Sequence, residues 1–172
     1  MIEKVQNIDN IEMTDPECVI SRAKVFLVND DNEVYIVTTK YGCMLPGGHV
    51  EKGESDKDTI VRELNEELGV TIDHKIVGKP FYRITYWANR KGVKTKSQVS
   101  YYIVRSNVVA DENLIHLTAR EQEIDFKINH VAWSDLRPLV DGYVHGRVKD
   151  INWAIATEIR DAMQIIEKDG LL

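Results

Sequence analysis

Glu63, Glu66 and Glu67 stand at i, i+3 and i+4 in the run Arg62-Glu63-Leu64-Asn65-Glu66-Glu67-Leu68. On a helix that spacing puts the three carboxylates on one face, where like charges repel and weaken an isolated helix. A bound hard cation reverses the penalty, because Mg²⁺ takes oxygen ligands and screens the carboxylates. Glu63 and Glu67 are one turn apart and can grip one cation, and Glu66 can hold a second metal or a metal-bound water. The Gly47 or Gly48 carbonyl can add a ligand from the preceding loop. All these donors are oxygen, which selects Mg²⁺ or Mn²⁺ over softer metals. On a phosphate, such a centre clamps the charged oxygens and lowers the pKa of a bound water.

The element that must carry these residues is a helix with clear ends. Ser55 opens a Ser-x-x-Asp capping box with Asp58. Gly69 suits a left-handed cap at the other end. Between them Ile60, Val61, Leu64 and Leu68 fall within an arc of roughly 100°. That apolar stripe faces a core. Its centre lies roughly 120° from that of the carboxylates, so the glutamates are free to face a loop. The loop is Lys40 to Glu54, rich in glycine and carrying Pro46.

The same residues spell a pattern. Gly48 is followed after five free positions by Glu54, and after seven more by Arg62-Glu63-Leu64, a free position, Glu66-Glu67, a free position and Gly69-Val70. This resembles a complete Nudix box, and Leu45-Pro46-Gly47-Gly48 resembles its usual lead-in. The resemblance extends over roughly Ile20 to Leu139, with Leu45 to Val70 its specific part. It implies an α/β/α sandwich with a mixed β-sheet, in which the box forms a loop–helix–loop. It implies the metal roles given above, with Glu63 a ligand or a water-activating base in different members. Glu54 and Arg62 then resemble the pair that braces loop against helix and orients Glu63. Arg62 also stands i, i+4 from Glu66, so a simple helical ion pair is open to it. A late-loop carboxylate often serves the family as general base, and Glu121 and Glu123 stand in suitable order here.

The activity so implied is a Nudix pyrophosphohydrolase, cleaving the diphosphate linkage of a nucleoside diphosphate joined to another moiety, with Mg²⁺ or Mn²⁺. A nucleoside triphosphate or the 5′ end of RNA is the nearest alternative substrate. The competing class is a ligand sensor or regulatory module that keeps the fold without catalysis; the intact glutamate set argues against it. Arg22 and Lys40 can reach phosphates from the first hairpin, or be solvated strand residues. His49 is a loop residue able to titrate near neutral pH or touch substrate. Tyr82, Tyr86, Trp87, Tyr101 and Tyr102 can stack on a base or fill a core. Arg90, Lys91, Lys94 and Lys96 gather at a hairpin tip, as a solvated face or a contact for a polyphosphate or RNA end. Where the family often has an aromatic before its Leu-Pro-Gly-Gly, Cys43 and Met44 stand. Pro80 comes nearer to the box than the proline usual in ADP-ribose members.

A length of 172 residues suits one domain with a substantial core. A formal net charge of −6 disfavours bulk nucleic acid and anionic membrane as partners. No run approaches the roughly 18 apolar residues of a membrane span, and Met1 to Thr14 lacks the apolar core of a signal peptide. Cys18 and Cys43 read as reduced thiols of a cytoplasmic protein.

Along the chain, residues 1–17 are a leading strand, an arm of a homodimer or a frayed tail. Cys18 to Val28 and Glu33 to Thr39 are strands of a hairpin around Asn29-Asp30-Asp31-Asn32. Thr71 to Val77 reads as another strand. Phe81 to Ala88 and Val93 to Val104 form a long hairpin, and Ser106 to Glu123 is irregular. Ile128 to Trp133 is a short strand, with Ser134 capping a short helical turn through Leu139. Residues 150–168 form an amphipathic helix, capped by Asp150, with Ile151, Ala154, Ile155, Ile159, Ala162, Met163 and Ile166 at helical spacing.

Overall fold

Val25-Phe26-Leu27-Val28 is apolar without alternation, and none of the four is more than 1% exposed. Alternate side chains of a strand point to opposite faces, so this run requires cover on both. A computed structural model of the protein, describing residues 1–144 and 151–172, shows that cover. The strand β2 (Cys18–Val28) sits inside a seven-stranded mixed sheet. Val25 and Leu27 pack with Ile60, Leu64 and Leu68 of α1 (Asp56–Leu68). Phe26 and Val28 pack on the other face with Leu136 and Val140 of α3 (Trp133–Val144) and Ile159 and Met163 of α4 (Ile151–Asp169).

The strands are β1 (Ile2–Asn7), β2, β3 (Glu33–Thr39), β4 (Gly42–Met44), β5 (Tyr82–Arg90), β6 (Val93–Arg105) and β7 (Lys127–Ala132). They run in the order β1-β5-β6-β2-β3-β4, with β7 paired to β3. β5 and β6 form the long antiparallel hairpin, turning at Lys91 and Gly92. β2 lies parallel to β6 from Cys18↔Thr95 to Val28↔Arg105. β1 lies parallel to β5 from Ile2↔Tyr82 to Asn7↔Trp87, so residues 2–7 are an edge strand.

Several elements differ from the sequence expectation. β2 and β3 do not form an extended hairpin; they meet only at Val28↔Val34, and β3 spends its edges on β7 and β4. β4 lies inside the predicted loop because Cys43 and Leu45, each 1% exposed, are drawn into the α3–α4 core. Thr71 to Val77 is not a strand but a single 3-10 turn at His74–Ile76. Asp73 causes this by accepting the Lys75 N–H at 2.8 Å, a local bond that competes with a ladder. The irregular stretch contains a short helix, α2 (Ala119–Glu123), closed by a capping box between Thr118 and Glu121. α3 runs past Leu139 to Val144 because Leu136, Val140 and Val144 keep one buried face, and it carries Pro138 inside the helix. The predicted cap Asp150 lies outside the described residues.

Candidate active site

α1 is held at both ends. Ser55 and Asp58 exchange backbone and side-chain bonds at its start, and Asp56 accepts the Tyr102 hydroxyl at 2.7 Å. At its end Gly69 adopts φ 66°, and its N–H returns to the Asn65 and Leu64 carbonyls. The carbonyls of Glu66 and Leu68 accept the N–H groups of His116 and Asp111. The irregular segment after β6 therefore caps the last turn of the carboxylate helix.

The glycine loop is fixed by the edge of β2 that β3 leaves open. Ala23 N donates to Gly48 O at 3.0 Å, Val25 N to Pro46 O at 3.1 Å, and Val50 N to Ser21 O at 2.9 Å. Gly47 has φ +116°, and a Cβ there would collide with the Ala23 carbonyl. At Gly48 a Cβ would collide with the Glu63 carboxylate. The loop thus passes against β2 on one side and against the helix glutamates on the other.

Arg62 joins the two. Its Nε donates to Glu54 Oε1 at 2.8 Å and its Nη2 to Glu54 Oε2 at 3.1 Å. Nη1 donates to Glu63 Oε1 and to Glu66 Oε2, both at 2.9 Å, and Nη2 also reaches the His49 carbonyl at 3.0 Å. The brace to Glu54 and the i, i+4 pair with Glu66 coexist on one guanidinium. That guanidinium holds Glu54 down to about 2, with the Thr59 hydroxyl adding a bond to the same carboxylate. Glu63 goes the other way: burial raises it against the pull of Arg62.

Glu67 is buried, at 4% exposure, and accepts the Gly47 N–H at 2.8 Å. Burial pushes its carboxyl up to about 8; Lys24 and the Gly47 bond oppose this, while Glu63 and Glu121 add to it. A charge taken out of water without full compensation is expensive, so this carboxyl favours a cation beside it.

The sequence did not single out Lys24 or Glu158. Lys24 Nζ donates to the Leu45 carbonyl at 3.0 Å and to the Gly47 carbonyl. Its signal in the sequence is a lone charge inside the buried run Ala23-Lys24-Val25-Phe26. Glu158, 8% exposed, accepts the Tyr86 and Tyr101 hydroxyls at 2.5 Å each. It stands beside the apolar stripe of α4 and carries no periodic signal.

Arg22 lies on the α3–α4 side of β2, and its backbone forms an antiparallel bridge with that of His49. Burial lowers its pKa and nearby Arg90 lowers it further, while Glu158 and Tyr101 oppose the shift. Lys40, at the start of the glycine loop, donates from Nζ to the Glu123 carbonyl at 2.8 Å. Glu121 accepts the Thr118 N–H and hydroxyl at 2.7 and 2.8 Å, and its charge still reaches Glu67. Glu123 is exposed. Tyr82 and Tyr101 are core residues, stacked with centroids 5.5 Å apart, and Tyr102 and Trp87 are also buried. Lys96 lies over the Trp87 ring at 5.7 Å.

Among the described residues, no three acidic, His or Cys side chains already converge as a metal cage. The donor set nevertheless fits a hard cation. Glu63, Glu66 and Glu67 and the Gly47 carbonyl are all oxygen donors. Glu67 is a buried carboxyl short of positive charge. Glu63 and Glu66 would each give up or share the Arg62 bond to serve as ligands.

A carboxylate helix and a glycine loop, locked together on a sheet between helices, form a framework for hydrolysis at a phosphate. Residues 20–144 match the model of the NUDIX domain. The chain is 29% identical over 142 residues to the RNA pyrophosphohydrolase of Ruthia magnifica subsp. Calyptogena magnifica, which covers 75% of each chain. It is 28% identical over 120 residues to the putative mutator protein MutT4 of Mycobacterium tuberculosis, covering 70% of this chain and 43% of that one. The crystal structure of the MutT NUDIX hydrolase from Burkholderia pseudomallei has the same fold, with TM-score 0.54 at 15% identity over 87% of this chain and 99% of that one. The chain belongs to the Nudix family and is a pyrophosphohydrolase acting on phosphorus-containing anhydrides.

Proposed function

We propose that this enzyme requires a divalent metal and cleaves the diphosphate linkage of a nucleoside diphosphate joined to another moiety, in the cytoplasm. The observation that carries the reading is the Arg62 junction. One guanidinium ties Glu54, Glu63, Glu66 and the loop carbonyl of His49 into a single unit, beside a buried Glu67. Bound Mg²⁺ or Mn²⁺ supplies charge neutralisation for the diphosphate and a water of lowered pKa. Glu63, Glu66, Glu67 and the Gly47 carbonyl are the groups that would hold it. Glu54 and Arg62 set the spacing of loop and helix, so that Glu63 faces Gly48. Glu121, whose charge reaches Glu67, is the late carboxylate suited to accept the proton of the attacking water. Arg22, whose backbone pairs with that of His49 in the glycine loop, is suited to meet a substrate oxyanion.

The test is a panel of nucleoside diphosphate sugars, dinucleoside polyphosphates, nucleoside triphosphates and 5′-triphosphate RNA, incubated with Mg²⁺ or Mn²⁺. The expected products are a nucleoside monophosphate and a phosphorylated second moiety, with no turnover in excess chelator. Likeness to an RNA pyrophosphohydrolase puts the RNA end in the panel. Preference for RNA would move the substrate assignment. Silence on every member would favour a ligand-sensing module.

A further inference from the structure

Lys24 interrupts β2 between Ala23 and Val25, both 0% exposed. A part-buried ammonium needs acceptors, and it takes them from the glycine loop. Its Nζ donates to the carbonyls of Leu45 and Gly47, on either side of Pro46. The N–H of the same Gly47 donates to Glu67 at 2.8 Å. Gly47 is therefore held at its carbonyl by a cation on β2 and at its N–H by a carboxylate on α1. Glu63 and Glu67 of α1 and Glu158 of α4 each feel the charge of this ammonium, which favours their ionised forms. Lys24 is thus a cation common to all three carboxyls, where Arg62 serves Glu63 and Arg22 serves Glu158 separately.

We propose that Lys24 is a positioning residue of the site, clamping the Gly47 carbonyl so that the loop stays seated on Glu67, and that a divalent ion displaces it from that carbonyl. This rests on the reading of Glu63, Glu66 and Glu67 as a metal site. Lys24 and the metal then use the same carbonyl oxygen and answer the same carboxylates. Lys24 keeps the loop ordered while metal is absent, and its charge opposes the dication that replaces it.

Three variants and two substrate-free measurements test this. Lys24→Met removes charge and donors, Lys24→Gln removes the charge and keeps a donor, and Lys24→Arg keeps both. Mn²⁺ affinity is read from the electron paramagnetic resonance signal of free Mn²⁺, and melting temperature in chelator from calorimetry. Lys24→Met and Lys24→Gln are expected to bind Mn²⁺ about tenfold or more tightly than wild type, with Lys24→Arg within about threefold of it. Lys24→Met is expected to melt lower than wild type in chelator, with Lys24→Gln between. Equal or weaker Mn²⁺ binding by Lys24→Met and Lys24→Gln overturns the proposal and leaves Lys24 a structural residue. If both are unfolded in chelator, refolding on adding Mn²⁺ supports it and failure to refold overturns it. A wild-type protein that takes up no Mn²⁺ removes the metal reading itself, an outcome separable from the first because it appears before any substitution is made.

Discussion

Glu67 is where burial and charge conflict most directly. Its carboxyl is raised to about 8, chiefly by desolvation, against about 4.5 for an exposed glutamate. The sign follows from linkage. A raised folded pKa means the fold favours the protonated form, so this contribution to stability is complete below about pH 4.5 and is lost as pH rises through about 8. In chelator, the melting temperature should fall across that window, and Glu67→Gln should flatten the fall. Calorimetry at pH 5, 7 and 9 checks both. The same substitution keeps shape and helix propensity but removes a ligand charge. Turnover should drop by roughly two or more powers of ten, equivalent to about 2.7 kcal/mol of transition-state stabilisation. An unchanged rate would deny Glu67 a part in the chemistry. Arg62→Lys asks a different question, because one ammonium cannot reproduce the fork on Glu54 and the bonds to Glu63, Glu66 and His49 together. The variant should fold, since Arg62 is only part-buried, yet lose about tenfold or more in kcat as Glu63 loses its orientation. Circular dichroism beside steady-state rates separates the two.

At the scale of elements, what the sequence revealed depended on where the information resides. α1 was legible to the residue at its start, because Ser55, Asp58 and Gly69 are local signals read by local hydrogen bonds. The glycine loop was legible as a loop, but not its seat on β2. Three backbone bonds at Ala23, Val25 and Val50 make that seat, and backbone bonds leave no trace in side-chain identity. β4 was missed because a three-residue strand is too short to show alternation. Thr71 to Val77 misled because its β-branched residues Thr71, Ile72, Ile76 and Val77 suit a strand while Asp73 ties the backbone into a turn. Lys24 and Glu158 were missed for a related reason: each owes its place to groups on other elements. The loop seat makes its own prediction. Gly47 combines φ +116° with contact against the Ala23 carbonyl, so Gly47→Ala should cost about 1–3 kcal/mol in backbone strain. Any shift of the loop moves the N–H that Glu67 accepts. The expected result is a lower melting temperature and a loss of turnover larger than the fraction unfolded explains. Full activity in the folded fraction would show that the loop tolerates displacement.

Across the whole molecule, one strand serves both cores and the site. β2 gives Val25 and Leu27 to the α1 layer, Phe26 and Val28 to the α3–α4 layer, and its free edge to the glycine loop. Glu158 on α4 and Glu67 on α1 stand on opposite helical layers, and Lys24 of β2 carries charge to both. The carboxylate site is therefore coupled to global stability. A ligand that binds only the folded state stabilises it by mass action, about 2.7 kcal/mol at 100 times its Kd. For a chain of 172 residues, each kcal/mol moves the melting temperature by about 2–4 °C. Saturating Mg²⁺ or Mn²⁺ should then raise the wild-type midpoint by about 5–10 °C over its value in chelator. Glu67→Gln should keep only part of that rise, because the ion loses a ligand charge at the point where loop and helix meet. The measurement is a melt of both proteins in chelator and at increasing Mn²⁺. A wild-type midpoint indifferent to the ion would mean that these carboxyls do not gather metal in the folded chain. A rise of equal size in both proteins would place the binding ion away from Glu67.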